Sequence, residues 1–210
     1  NNIRMYDCYT GFKWIAAVIR DNEGVARYLG GGEESYGFLA EEFARDKDSV
    51  SAISLMAECL AWAKSKGMSF MEMLQDIYVK YGFSREEGIS VVHPGKTGAE
   101  EIVAMMKEFR ANPPKSLGGS DVVVVKDYAD LNMRNLHNGT EEKMDFPTTS
   151  NVLQFFTADG TKVSIRPSGT EPKIKFYIEV KGHMATKADY HAATEAAKAK
   201  TEVIKKELGI

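Results

Sequence analysis

"KVSIRPSGTEPKIKFYIEV", residues 162–180, holds two strand-like runs around a loop bounded by Pro167 and Pro172. In the second run Ile174, Phe176, Ile178 and Val180 alternate with Lys173, Lys175, Tyr177 and Glu179, the period of a strand with one buried face. The alternation also puts the amines of Lys173 and Lys175 on one face. Between the runs stand Arg166, Ser168, Gly169 and Thr170. A guanidinium grips two phosphate oxygens in a planar fork, hydroxyls donate, and glycine lets main-chain amides approach an anion closely. The prolines stiffen entry and exit, so the donors are organised before anything binds. From Thr161 to Gly182 five Lys or Arg stand against two Glu, a basic island in a chain of net charge -3. The same residues also read as a basic turn between two hairpin strands.

Upstream, "DVVVVKDY" and "NVLQFFTA" are strand-like, and Asp159-Gly160 is a hairpin turn signal. Downstream, Thr186 and Asp189 cap a helix to Leu208 with Ala193, Ala196, Ala197, Val203 and Ile204 on a narrow apolar face. The C-terminal part is therefore expected to be an antiparallel sheet with one helix on it. The "ANPPKSLGGS" stretch stops the preceding helix at Pro113 and Pro114 and places a domain boundary near residue 115.

The first part reads as mixed helix and strand. Phe12, Ile15, Ala16 and Ile19 give Thr10 to Arg20 one apolar helical face, and a short strand over Ala26 to Leu29 runs into "GGGEESYG". Ser49 is read as the cap of a well-buried helix carrying Val50, Ile53, Ala57, Leu60 and Ala61 inward. Ser69 with Glu72 and Thr97 with Glu100 match capping boxes that start two more helices. In "GGGEESYG" the glycines turn the chain, while Glu33, Glu34 and Ser35 present acceptors and a hydroxyl suited to a polyol, or simply a solvated acidic turn.

Other patterns carry less. "HPGKTG" ends like a phosphate-binding loop, but the glycine that loop needs at its start is Ser90. Asp46 and Asp48 are too few oxygens for a hard cation, and His93, His137, His183 and His191 lack metal-ligand spacing. Cys8 and Cys59 are far apart and suggest neither a disulfide framework nor a zinc ribbon, which fits a reducing cytoplasm. The acidic balance argues against nucleic acid, and no apolar run is long enough for a membrane span. The start at Asn1-Asn2 has neither an initiator methionine nor a signal-peptide pattern, as expected of an excised piece.

"TGFKWI", "GGEESYG", "RDKD" and "RPSGTEPKIKFYIEV", in that order, resemble the C-terminal half of the α-D-phosphohexomutases, the bacterial phosphoglucomutases and phosphomannomutases. The resemblance covers nearly the whole chain. It implies an α/β fold for residues 1–115, the latter part of the family's domain three, and an α+β domain four over residues 116–210 with an antiparallel, TATA-binding-protein-like sheet. It implies interconversion of hexose 1-phosphate and hexose 6-phosphate through a phosphoserine and a bisphosphate. Matched position by position, Glu33 and Ser35 fall on the sugar-binding loop and Lys13 on a lysine that enters the cleft. Arg166, Ser168, Gly169 and Thr170 fall on the loop gripping the distal phosphate, with Lys175 a further contact.

The family's serine loop and its magnesium loop belong to domains one and two and match nothing here. No catalytic residue and no metal ligand is therefore expected in this chain. Mg²⁺ would be held by the missing N-terminal domains, with glucose 1,6-bisphosphate as intermediate or activator, and the isolated chain would be inactive. An uncovered sheet edge or helix face would favour a dimer. The "GEES" form is more similar to phosphoglucomutases than to the aminosugar branch. A sugar-phosphate-binding module without turnover and a phosphopentomutase-like enzyme are the alternative readings.

Overall fold

The computed structural model describes residues 3–34, 36–169 and 171–210, with Lys96 described in its backbone only. Ser35 and Thr170 lie outside the described residues. The chain divides into two compact units, Asn1–Leu74 and Gln75–Ile210.

In the first unit, α1 (Phe12–Asp21) forms where the apolar spacing predicts it and buries Phe12, Ile15 and Ile19. Leu39 completes this small core and Tyr28 packs against it. Residues 26–29 form no strand; the pairing starts later, between β1 (Gly31–Gly32) and β2 (Phe38–Leu39). Helix α2 (Ser49–Ser65) is capped by Asp48, one residue before the expected Ser49: its carboxylate accepts from the Val50 and Ser51 amides at 3.2 and 2.8 Å. Those amides hold the Asp48 carboxyl below the usual range, the Ser51 amide contributing most.

The expected burial of α2 does not hold. Val50 is 71%, Ile53 69% and Leu60 47% exposed, and Ala63 alone in the helix is buried. Helical periodicity identifies an apolar face but not what covers it, and the unit's core of Phe12, Ile15, Ile19 and Leu39 does not extend to this helix. Helix α3 (Phe70–Tyr81) runs across the division between the units. It starts with the expected box: Ser69 N–H donates to Glu72 Oε2 at 2.7 Å and Glu72 N–H donates to Ser69 Oγ at 3.1 Å.

The second unit opens with β3 (Phe83–Val92) and α4 (Gly95–Ala111), followed by β4 (Ser116–Leu117), β5 (Ser120–Asp127), β6 (Asn132–Asn135), β7 (Glu141–Lys143), β8 (Leu153–Thr157), β9 (Lys162–Pro167) and β10 (Lys173–Gly182). Among the described residues these strands make one sheet in the order β3-β10-β9-β8-β5-β6-β7, with β4 paired to β5. Every pairing is antiparallel. The alternation of β10 is realised in full: Ile174, Phe176, Ile178 and Val180 are at most 2% exposed.

Two helices, not one, cover that apolar face. Helix α5 (Tyr190–Leu208) brings Ala197, Ile204 and Leu208 into the core, after a 3-10 turn at Lys187–Asp189 that carries the Thr186 and Asp189 box. Val203, expected on the apolar face, is 45% exposed, while Thr201 is buried and bonds its hydroxyl to the Ala197 carbonyl at 2.9 Å. Helix α4 adds Ile102 and Met106, and its Phe109 ring meets Phe155 and Phe176 with centroids 6.3 and 6.4 Å apart. It begins at Gly95, not at Thr97, with Pro94 as a cap residue that bonds no side chain. The Pro113-Pro114 break thus lies inside the second unit, because β3 pairs along its whole length with β10, from Phe83↔Gly182 to Val92↔Lys173.

Candidate functional site

The described candidate residues fall into two groups, one in each unit. In the first, β1 pairs with β2, and Glu33 and Gly37 flank the turn between them. Glu33 N–H donates to the Gly37 carbonyl at 2.9 Å, closing the turn, and Glu33 Oε1 accepts from Gly11 N–H at 2.5 Å. Gly11 is the cap position of α1, so Glu33 is fixed at the end of the helix whose first turn carries Lys13. Such a contact suits a carboxylate, since free amides at a helix start carry partial positive charge. Lys13 itself lies with its ammonium 5.0 Å from the centroid of the Trp14 ring; Ser35 lies outside the described residues.

Gly37 has no room for a side chain. A β-carbon there would lie 2.6 Å from Phe12 Cε2, 3.1 Å from Glu33 Oε2 and 3.2 Å from Lys47 Cδ. The same three groups thus converge on one point, and Lys47 joins the surroundings of Glu33. Its ammonium lies 5.2 Å from the centroid of the Phe12 ring. No local sequence signal marks Lys47; of its neighbours in "RDKD", Asp48 caps α2, and Asp46 Oδ1 accepts from the Lys47 amide at 2.8 Å.

In the second unit, Arg166 near the end of β9 stands opposite Lys175 of β10, and Lys175 stands opposite Ser90 of β3. This row brings two of the candidate cations side by side. Among the described residues Lys175 forms no ion pair, and its ammonium lies 6.0 Å from the Tyr177 ring centroid. The connecting loop is tied by its own backbone: Ser168 N–H donates to the Lys173 carbonyl at 2.8 Å, and Lys173 N–H donates to the Glu171 carbonyl at 2.7 Å. Ser168 Oγ accepts from Glu171 N–H at 3.3 Å. Lys173 pairs with the Glu171 carboxylate at 2.5 Å, and its ammonium holds that carboxyl below the usual range. Gly169 differs from Gly37. A β-carbon on Gly169 would meet nothing within 4 Å, and its backbone is not left-handed, so folding does not require glycine there. Thr170 lies outside the described residues.

One neighbour of this loop was not foreseen. His93, one of the histidines without metal-ligand spacing, follows β3 and donates its N–H to the Pro172 carbonyl at 2.8 Å. Its ring Nδ1 lies 2.8 Å from Glu101 Oε2, and its Nε2 is buried without a hydrogen-bond partner among the described residues. No local signal announces this contact, which depends on the long-range pairing of β3 with β10.

Among the described residues no three His, Cys, Asp or Glu side chains gather so as to hold a metal ion, and no helix is long and apolar enough to cross a membrane.

Comparison with known proteins gives matches in both parts of the chain. The family model described as phosphoglucomutase/phosphomannomutase, alpha/beta/alpha domain III matches residues 1–81, and the one described as its C-terminal domain matches residues 123–197. The phosphoglucomutase of Staphylococcus haemolyticus is 34% identical over 180 residues, covering 86% of this chain and 32% of that protein. The phosphoglucomutase of Staphylococcus aureus is 36% identical over 181 residues, with the same 86% and 32% coverage. The chain thus spans about a third of the length of the curated relatives it matches. Among solved structures, the open form of the Paramecium phosphoprotein pp63/parafusin, a phosphoglucomutase, matches 100% of this chain and 35% of its own, with a TM-score of 0.57 at 19% identity, a likeness of fold. With one family's third and C-terminal domains matched in order, the chain belongs to the phosphoglucomutase/phosphomannomutase family and carries the C-terminal part of that α/β architecture.

Proposed function

We propose that this chain supplies the ligand-holding parts of a phosphohexomutase that interconverts hexose 1-phosphate and hexose 6-phosphate through a phosphoserine and a bisphosphate. Residues 1–115 are assigned to domain three and 116–210 to domain four; the family matches at 1–81 and 123–197 fall on either side of that line. Glu33 and Ser35 accept and donate to adjacent sugar hydroxyls, and Lys13 brings a positive charge to the same loop. Lys47, whose stem packs at Gly37 beside Glu33 and whose ammonium pairs with Asp46 at 3.2 Å, borders the same turn. Arg166, Ser168, Gly169, Thr170 and Lys175 hold the phosphate remote from the transferred one.

The observation that carries the reading is the hairpin of β9 and β10. It sets Arg166 opposite Lys175 on paired strands and leaves open space over Gly169, where no packing demand explains a glycine. Arg166 forks two oxygens, Lys175 adds a point charge, and the amides around Gly169 approach a third oxygen. None of these groups moves a proton or a phosphoryl group. Phosphoryl transfer relies largely on positioning and charge, so binding residues set the reaction geometry without joining the bond changes. The phosphoserine and Mg²⁺ belong to the family's other domains, and this chain alone is assigned no turnover.

The test is a calorimetric titration of the chain with glucose 1,6-bisphosphate beside an Arg166→Ala variant. Binding that the variant weakens about a hundredfold, as expected for loss of a charge-assisted fork, supports the phosphate grip. Equal binding by both proteins would overturn it.

A further inference from the structure

The turn that holds Glu33 also carries a residue to which the reading above gives no task. Tyr36 sits at φ 67°, in the left-handed region that disfavours any residue with a β-carbon and is an outlier for a bulky one. Its side chain is fully exposed, at 103% of the reference area. Folding gains nothing from either feature. An exposed ring contributes no burial, and a glycine would adopt the same backbone without strain. Strained backbone persists where surrounding structure imposes it and concentrates at ligand-contacting positions. Here the imposing structure is present: the Glu33 N–H bond to the Gly37 carbonyl closes the turn, and Gly37 is wedged against Phe12 and Lys47.

The geometry therefore places an acceptor and an aromatic face on one turn, three residues apart. A pyranose is amphipathic in the matching sense, with hydroxyls around its edge and C–H groups on its faces. A carboxylate satisfies the edge, whereas an aromatic ring covers a face that water solvates poorly. We infer that Tyr36 is a substrate-contacting residue whose ring lies against a C–H face of the hexose while Glu33 takes hydroxyls at its edge. The inference rests on the assignment of Glu33 to the sugar and adds the part of the substrate recognised: the sugar ring itself, independently of the phosphate.

The experiment uses the isotope-labelled 210-residue chain, titrated with glucose 1-phosphate and separately with inorganic phosphate, which carries no ring. Amide shifts in residues 30–37 report the sugar loop, and intermolecular NOEs report contact between sugar C–H protons and the Tyr36 ring. Tyr36→Phe keeps the ring, and Tyr36→Gly removes it while relieving the strained backbone. The expected result is an NOE from glucose 1-phosphate to Tyr36, affinity kept within about twofold by Tyr36→Phe, and a loss of about fivefold or more in Tyr36→Gly with thermal stability unchanged or raised.

Shifts in residues 30–37 without the NOE, and with Tyr36→Gly binding as tightly as the parent, overturn the inference and leave the sugar-loop assignment standing. Shifts confined to residues 166–169 with both probes, or no shifts at all, overturn the sugar-loop assignment and this inference with it.

Discussion

Gly169 and Glu179 illustrate two different tasks for single residues in the same hairpin. Gly169 has neither a left-handed backbone nor a neighbour within 4 Å of a β-carbon. If the proposed phosphate grip holds, Gly169→Ala leaves the unfolding midpoint unchanged while weakening phosphate binding by roughly tenfold, about 1.4 kcal/mol, because the added methyl would stand between the anion and the amides. A loss of stability without a loss of affinity would show that the position is structural. Glu179 is structural. Burial pushes its carboxyl up, but hydrogen bonds and charge from Lys162, at 2.7 Å, and from Lys181 outweigh this and bring it down to about 2. A pKa lowered on folding means stability that is complete above the ordinary value of 4.5 and is lost as pH falls toward about 2. Asp159, paired with Lys200, is lowered in the same sense. The parent chain should lose more stability than Glu179→Gln between about pH 6 and pH 3 in urea titrations; parallel losses would remove Glu179 from the account.

At the scale of elements, strand β10 is the member on which most of the second unit depends. It lies between β3 and β9, buries four side chains, and delivers Lys173 and Lys175 at the loop end. Phe176 is fully buried and meets Phe109 of α4. Phe176→Ala is expected to cost about 3–5 kcal/mol in chemical denaturation, as large core truncations do, and a cost below about 1 kcal/mol would mean the core refills the cavity. Elements with a complete local signal were legible: α1 in its apolar spacing, α3 in the Ser69 and Glu72 box, and β8, β9 and β10 in their alternation and the Asp159-Gly160 turn. Strand β3 was not, since "FSREEGISVV" is rich in charge, and even the face it shares with Phe83, Ile89 and Val91 bears Arg85 and Glu87, which pair with each other at 2.9 Å. Its identity as a strand comes from β10, about ninety residues away in the chain.

For the whole molecule, the matter of partners centres on α2, whose Val50, Ile53 and Leu60 are 71%, 69% and 47% exposed. Large exposed apolar faces mark surfaces that other protein covers. We propose that in the isolated chain this face is covered by self-association, and in a longer family member by the rest of domain three. Sedimentation velocity over a concentration series should show a dimer that Val50→Glu with Ile53→Glu disperses; a single monomeric species at high concentration would end the proposal.

The sequence alone determined the motifs and their loops. "GGEESYG" and "RPSGT" are glycine- and hydroxyl-bearing loop sequences whose signal is local, so their positions survive any arrangement of the surrounding elements. It also determined the C-terminal hairpins, because alternation and turn residues act over a few positions. Only tertiary structure decided that β3 completes the sheet, that α4 shares the cover with α5, that His93 holds the Pro172 carbonyl, and that Glu33 is tied to the start of α1. Each of these joins groups distant in sequence. Such contacts depend on which surfaces remain for burial once the local elements exist, and periodicity within a single segment carries no record of that competition.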